Sequence, residues 1–457
     1  MKFKLSVALL SVSCFIFSAC ANYSATNQSY ENALKQAFCD DGFFAKNEEK
    51  IQKNDDVIYT GINTGAIARS CNKFEKSNYF FDKAEEAYKV DVDLKNPISK
   101  GAKVVAGAIL NETLMDYDGS LYERIMVNVY KGLNFLELKD NENARVEFNR
   151  ALERQNKAKE YFAKQIQKNE ENLAKAKEDP NFKKNLNDNT QSIMSEYDKM
   201  FADNFKAQKN FTNPYATYLA SVFFLLDKDY KKAADLFKEV AATHTNEEFA
   251  TQRKLFEKYA SSVNPAKLEK YVFVVYEDGL GVIKDEFSLT LPFIINNNIS
   301  SVPIALQTLK KREASFGSVL VNNSKTSELV NFDDIVATEF KINMPSMIAS
   351  ALASTIIKTT LNTAVAKKAD DSLAGKLLSL GTSVATSALT KADVRSWQSL
   401  PKSASVSMSK NTGHLEIKSK DGIILLNSEI PKDKNMLVIL RSYSLAVPPK
   451  INIIKEN

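Results

Sequence analysis

GLNFLELKDNENARVEFNRALE, residues 132–153, decides the architecture of the first half of the chain. Gly132 is followed three positions on by Phe135, then by Ala144, by Phe148 four on and by Ala151 three on. The steric logic is that of two helices packed closely. Small residues let one helix approach the next, and the aromatics fill the space between hairpins. SVFFLLDKDYKKAADLFKEV repeats the offsets with Ser221, Phe224, Ala233, Phe237 and Val240. A weaker copy, GAIARSCNKFEKSNYFFDKAEEAY, places Gly65, Ala68, Ser77, Phe81 and Ala84 at the same spacing. A constant internal spacing in separate segments predicts repeated helical hairpins.

These offsets resemble the tetratricopeptide pattern, and the whole of 30–264 reads as a helical, repeat-like domain. Gln155 to Asn210 interrupts the repeats with mixed charge and a break at Asp179–Phe182, and reads as solvated helix faces or a projecting arm. Beyond SSVNPAK (261–267) the pattern changes. KYVFVVYE, FSLTLPFII and VPIALQTL are β-branched and aromatic, with Gly, Asn and Ser between them, and read as strands. ASVSMSK, HLEIKS, GIILLNSEI and NMLVILRSYS close the chain and suggest a small antiparallel sandwich. Between the two sets, 344–390 is almost entirely small or aliphatic and breaks at KKADDS, which reads as a helical hairpin with close-packing faces. The expected fold is α+β: hairpin repeats, then a β-rich domain at 265–457 interrupted by that hairpin.

The leader MKFKLSVALLSVSCFIFSAC has two early lysines, an apolar run and small residues before Cys20. It reads as a secretory signal over 1–19, too short for the roughly 20 apolar residues of a membrane span. Ser18-Ala19-Cys20 resembles a bacterial lipobox. That resemblance implies lipidation of Cys20, removal of residues 1–19, and an outer-membrane anchor with the body in the periplasm. Ala21 to Ser29 is polar and reads as a tether spanning 20–29. Cys39 and Cys71 then remain, and in an oxidising compartment they are expected to form a disulfide.

YDGSLYERIMVNVYKGLNFLELKDNENARVEFNRA (117–151), YEDGLGVIKDEF (276–287) and ADVRSWQSLP (392–401) together resemble a family of uncharacterised bacterial lipoproteins with helical-repeat N-terminal halves. The resemblance covers most of the mature chain and implies an envelope location and this domain plan. It singles out Tyr117, Gly119, Tyr122, Glu123, Glu277, Gly279, Lys284, Asp393, Arg395, Trp397 and Pro401. Asp393 and Arg395 are expected to pair while Trp397 pins its loop to the sandwich. Alternatively Tyr117, Tyr122, Glu123, Asp393, Arg395 and Trp397 form a surface recognition patch, since aromatic and Arg anchors dominate binding energy.

Little in the sequence points to catalysis. His244 and His414, the only histidines, fall in different expected domains, whereas triad or zinc chemistry needs converging groups. Ser407 and Lys410 spell S-x-x-K, but in an alternating strand run without the partner motifs. A net charge of +5 over 457 residues argues against nucleic acid as a partner. The expectation is a non-enzymatic lipoprotein without cofactor or metal. It would bind an envelope protein or peptide on the concave face of its repeats. The competing readings are a self-assembling or membrane-acting component using the 344–390 hairpin, and a peptidoglycan-associated protein.

Overall fold

The computed structural model describes residues 23–88, 117–176, 180–201, 205–206, 213–295, 298–368 and 391–456. The signal, Cys20 and the whole of the second arm expected within 344–390 lie outside the described residues.

The helical half comprises α1 (Tyr23–Lys35), α2 (Asp41–Gln52), α3 (Val57–Ser70), α4 (Phe74–Tyr88), α5 (Leu121–Glu137), α6 (Asn141–Ala176), α7 (Pro180–Phe201), α8 (Pro214–Leu226), α9 (Tyr230–Thr243) and α10 (Glu247–Ser261). The three hairpins, α3–α4, α5–α6 and α8–α9, turn in the same way. Asn72, Lys139 and Lys228 each adopt positive φ (56°, 60° and 62°). The following amides of Lys73, Asp140 and Asp229 donate to carbonyls five residues back, on Ala68, Phe135 and Phe224. This is the left-handed Schellman termination, repeated three times. In the first two hairpins the small residue of the first helix meets the aromatic of the second. A Cβ on Gly65 would lie 2.8 Å from the Phe81 ring, and one on Gly132 would lie 3.0 Å from Phe148. Ala84, Ala144, Ala151, Phe224, Ala233 and Phe237 are buried as the repeat pattern requires, while Phe135 is only partly buried against the core.

Two expectations are corrected here. Residues 23–29 are not tether. They form the first two turns of α1, with Asn27 and Tyr30 buried, because Asn27 and Tyr30 have partners in α2, α3 and the C-terminal half that a local reading cannot see. The first arm of the expected 344–390 hairpin is instead the C-terminal two-thirds of one long helix, α11 (Phe332–Lys368), with Pro345 inside it. Proline usually ends a helix or costs about 3 kcal/mol within one. Here Phe332, Ile335, Val336, Phe340, Met344, Ile348 and Leu352 bury a continuous face on both sides of the proline, and that packing holds the helix together.

The β half has eleven described strands: β1 (Tyr271–Asp278), β2 (Ile283–Ile295), β3 (Asn298–Lys310), β4 (Val319–Val321), β5 (Ser324–Lys325), β6 (Ser327–Asn331), β7 (Ser403–Lys410), β8 (His414–Ser419), β9 (Ile424–Glu429), β10 (Met436–Ser442) and β11 (Lys450–Lys455). A five-stranded sheet runs β11-β10-β1-β7-β6, and a four-stranded sheet runs β5-β4-β8-β9. The closing strands do not form a sandwich among themselves. They divide between both sheets, and β1 inserts beside β10 in parallel, Val272 opposite Met436 and Asp278 opposite Ser442. Alternation along β1 sends Val272, Val274 and Tyr276 into the space between the sheets. Phe273 and Val275 go to the opposite face, into the core shared with the helices. The order of layers is therefore helices, five-stranded sheet, four-stranded sheet.

β2 and β3 form a long separate ribbon, paired from Ile283–Lys310 to Ile295–Asn298. The segment expected to project as an arm folds back on this ribbon. Asn189 of α7 donates to the Pro292 carbonyl at 3.0 Å. Tyr197 packs edge-on against Phe287, with ring centres 5.3 Å apart. Cys39 and Cys71 form a disulfide, Cα–Cα 5.7 Å, closing α2 and α3 into one loop. Such a closure stabilises by about 3 kcal/mol.

Candidate functional site: a buried polar seam

Residues 391–400 contain no helix or strand, yet nearly all are buried between the helices and the sheet. A buried irregular backbone must find partners for its polar groups. Side chains from the helices supply them. Asn27 donates to the Val394 carbonyl at 2.8 Å. Asn63 accepts from the Gln398 amide at 2.8 Å and donates to the Ser396 carbonyl at 3.3 Å. Glu123 accepts from the Trp397 amide at 2.9 Å.

Arg395 is the centre of the seam. It pairs with Asp393 through two nitrogens, at 2.9 and 2.8 Å, as the sequence suggests. It also reaches Asp56, which precedes α3, at 2.9 Å. The same Asp56 oxygen accepts from the Tyr117 amide at 3.0 Å. The guanidinium lies over the rings of Tyr23 and Tyr117, at 4.8 and 5.5 Å. Burial opposes the charge on Arg395, but hydrogen bonds and charge from Asp393, then the charge of Asp56, hold its pKa above the usual range. Burial raises Asp56 despite the opposing pull of Arg395.

The second centre is the start of α5. Glu123 closes a capping box with Ser120, accepting from its amide at 2.8 Å and from the Tyr117 hydroxyl at 2.8 Å. From α11, Glu339 takes the amides of Leu121 at 2.9 Å and Tyr122 at 3.3 Å. Burial pushes Glu339 up to about 7 and is the main cause, with Glu123 adding to it. Burial also raises Glu123, against the charge of Lys284, which sits 5.2 Å from the centre of the Tyr117 ring.

The residues singled out by the family resemblance thus converge, but not as a surface patch. Tyr117, Tyr122, Glu123, Arg395 and Trp397 are all buried, so none presents an exposed anchor. Trp397 does not pin its loop to the sandwich. Its ring packs on Phe81 and Tyr130 of the helices, at 5.6 and 5.8 Å, because the segment runs between the layers. A Cβ on Gly119, at φ 70°, would lie 2.5 Å from the Tyr88 ring. Glu277 and Gly279 belong to a neighbouring cluster. There Tyr215 and Tyr130 donate to Glu277, and Arg441 donates to the Gly279 carbonyl at 2.7 Å and the Ser399 carbonyl at 2.9 Å. The Pro401 carbonyl would meet a Cβ on Gly281 at 2.7 Å.

Other parts of the network left weaker marks in the sequence. Asn27, Asp56, Asn63, Glu339 and Arg441 carry much of it. The usable signal was an asparagine inside an otherwise apolar helix, as in VIYTGINTGAIA, where a buried amide demands a partner. In a third cluster Lys131, almost fully buried, pairs with Asp82, Glu85 and Glu147 at 2.7, 2.6 and 3.0 Å, joining α4, α5 and α6.

Chemically the seam joins elements. Its groups bond to one another within the chain. Among the described residues no group of three or more His, Cys, Asp or Glu is placed to hold a metal ion. Ser407 is buried in β7 while Lys410 pairs with Glu269. His244 closes α9 against the Leu329 carbonyl at 2.8 Å, and His414 meets Asn427 at 2.8 Å. A groove of about 810 Å³ opens between α2, α3 and α4, lined by Ile51, Val57, Ile58, Tyr79, Lys83 and Tyr117 among others. Among the described residues no helix is long and apolar enough to cross a membrane. No family model matches the chain, and neither a curated protein nor a solved structure is similar to it.

Proposed function

We propose that this chain is a non-enzymatic lipoprotein of the bacterial cell envelope. In this reading it is anchored at the outer membrane through Cys20, faces the periplasm, and holds a partner protein or extended peptide with its helical hairpins. The observation that carries the reading is the recurrence of one hairpin geometry in three places, beside an open groove on the first of them. The leader sequence and a disulfide suited to an oxidising compartment support the location. The C-terminal half narrows the binding surface. Every residue of α8 from Tyr215 to Leu226 is buried, so that hairpin offers no inner face to a partner. The groove beside α2, α3 and α4 is where binding is expected.

Photo-crosslinking in living cells tests this, with probes at Tyr79 and Lys83 and adducts identified by mass spectrometry. The expected result is one dominant foreign protein, lost when Ile58 is changed to Glu in a chain that still folds. Self-adducts alone from both positions would sink the reading.

A further inference from the structure

We infer that the face around the first turn of α1 lies against the lipid surface and sets one orientation of the molecule on the membrane. The inference rests on the lipoprotein reading, and goes beyond it in fixing which pole is near the bilayer. If Cys20 is the acylated residue, only Ala21 and Asn22 separate it from Tyr23, where α1 begins. Three Cα–Cα steps reach at most about 11 Å. A free tether over 20–29 would have reached about 30 Å and left the body loosely held.

The short link matters because Tyr23 is not at a fraying end. Its ring packs on Tyr59, 5.6 Å between centres, and beneath the Arg395 guanidinium at 4.8 Å. One turn on, Asn27 is bonded to the Val394 carbonyl and accepts from the Tyr59 hydroxyl at 2.6 Å. Glu31 pairs with Arg312 at 3.0 Å. The anchor would therefore pull on the seam that joins both halves, and the whole body follows it.

α3 works as a ruler for the opposite pole. Its first residue follows Asp56, the partner of Arg395. Its last turn, Arg69 and Ser70, shares a small cavity with Arg441, Tyr443, Lys450 and Asn452 of β10, β11 and their connection. Fourteen helical residues span about 21 Å. The β10–β11 connection, with Leu445 exposed, therefore lies far from the anchor, as does the Cys39–Cys71 bridge beside Ser70. Among the described residues the near rim carries Asp118, Glu286 and Lys391, all exposed. Their charge is mixed, and the short link is what fixes the orientation. The groove bordered by Val57, Ile58 and Tyr117 sits at the near pole, so a partner held there is presented close to the membrane.

The test begins with mass spectrometry of the chain purified from membranes, which reports whether Cys20 is acylated. The acylated protein is then placed in vesicles of phosphatidylethanolamine and phosphatidylglycerol carrying nitroxide headgroups. A fluorophore is attached at Ser24→Cys or at Leu445→Cys. Headgroup quenching should be severalfold stronger at 24 than at 445. A flexible Gly-Ser insertion between Ala21 and Asn22 should bring the two closer together while anchoring persists. Acylated protein quenched equally at both positions, or more at 445, would overturn the orientation and leave the lipoprotein reading standing. An unacylated Cys20 would overturn both.

Discussion

The two faces of the five-stranded sheet are built on different principles. Toward the four-stranded sheet, Val272, Val274, Tyr276, Met436, Val438 and Leu440 meet Val319, Val321, Leu415 and Ile417. That contact is apolar and non-directional. Toward the helices, apolar packing is crossed by the seam of Arg395, Asp56, Asp393, Glu123, Trp397, Glu277 and Arg441. Apolar surfaces tolerate many arrangements of similar volume. Buried charges tolerate very few, because each one left without its partner is costly. The comparison teaches that the sandwich face supplies bulk stability, while the seam specifies how the helical half docks.

Removing the central cation is the harshest way to probe that difference. Arg395→Met leaves Asp56 buried and Asp393 half-buried without a counter-charge, and should cost about 3–5 kcal/mol in urea unfolding. Limited proteolysis should then cut near 391–400 first. A loss below 1 kcal/mol would mean that the seam is not specifying the docking. On the apolar face Leu440→Ala should cost about 3 kcal/mol with no new cleavage site. If it also loosens 391–400, the two faces are not separable.

The start of α5 allows a test by pH. Burial pushes the Glu339 carboxyl up to about 7 in the folded protein, against about 4.3 for an unperturbed glutamate. Its folded value is raised, so the unfolded chain releases the proton first. The contribution is fully present below about 4.3, falls as pH rises, and is lost above about 7. Between pH 5 and 8 the wild-type chain should lose roughly 2 kcal/mol from this group, and Glu339→Gln should flatten that part of the profile. An unchanged slope would remove Glu339 from the account. The smallest effect is expected inside a hairpin. Gly132→Ala gains about 1 kcal/mol of helix propensity but crowds the Phe148 ring at 3.0 Å. Overpacking costs about 1–3 kcal/mol, so a small net loss should appear in thermal unfolding. A stabilised variant would show that the contact relaxes freely.

Much of the fold was legible because its signals are local and periodic. Gly65, Gly132 and Ser221 each precede an aromatic partner by the same interval. The strands of the sandwich announce themselves by alternation. Three things were less legible. Tyr23 to Ser29 reads as polar linker because its buried face is narrow and its partners are distant. Residues 344–390 read as a separate hairpin because a run of small residues takes no account of Phe332 to Phe340, which extend the same buried face ahead of Pro345. The residues of 392–401 stood out, but whether they face solvent or bury themselves depends on what covers them.

By itself the sequence determined most of the helices and strands, that the first half repeats one hairpin, and that Cys39 and Cys71 were available to bridge. Only the tertiary structure decided that β1 runs parallel beside β10, that α1 starts at Tyr23 and is held by the C-terminal segment, and that Arg395 joins an aspartate 339 residues away. The reason is physical. A helix or strand repeats its preference at every turn or every second residue, so it leaves a pattern in the chain. A buried ion pair between distant segments is a single event with no period. It exists only when the fold has already brought both groups out of water and matched their hydrogen bonds.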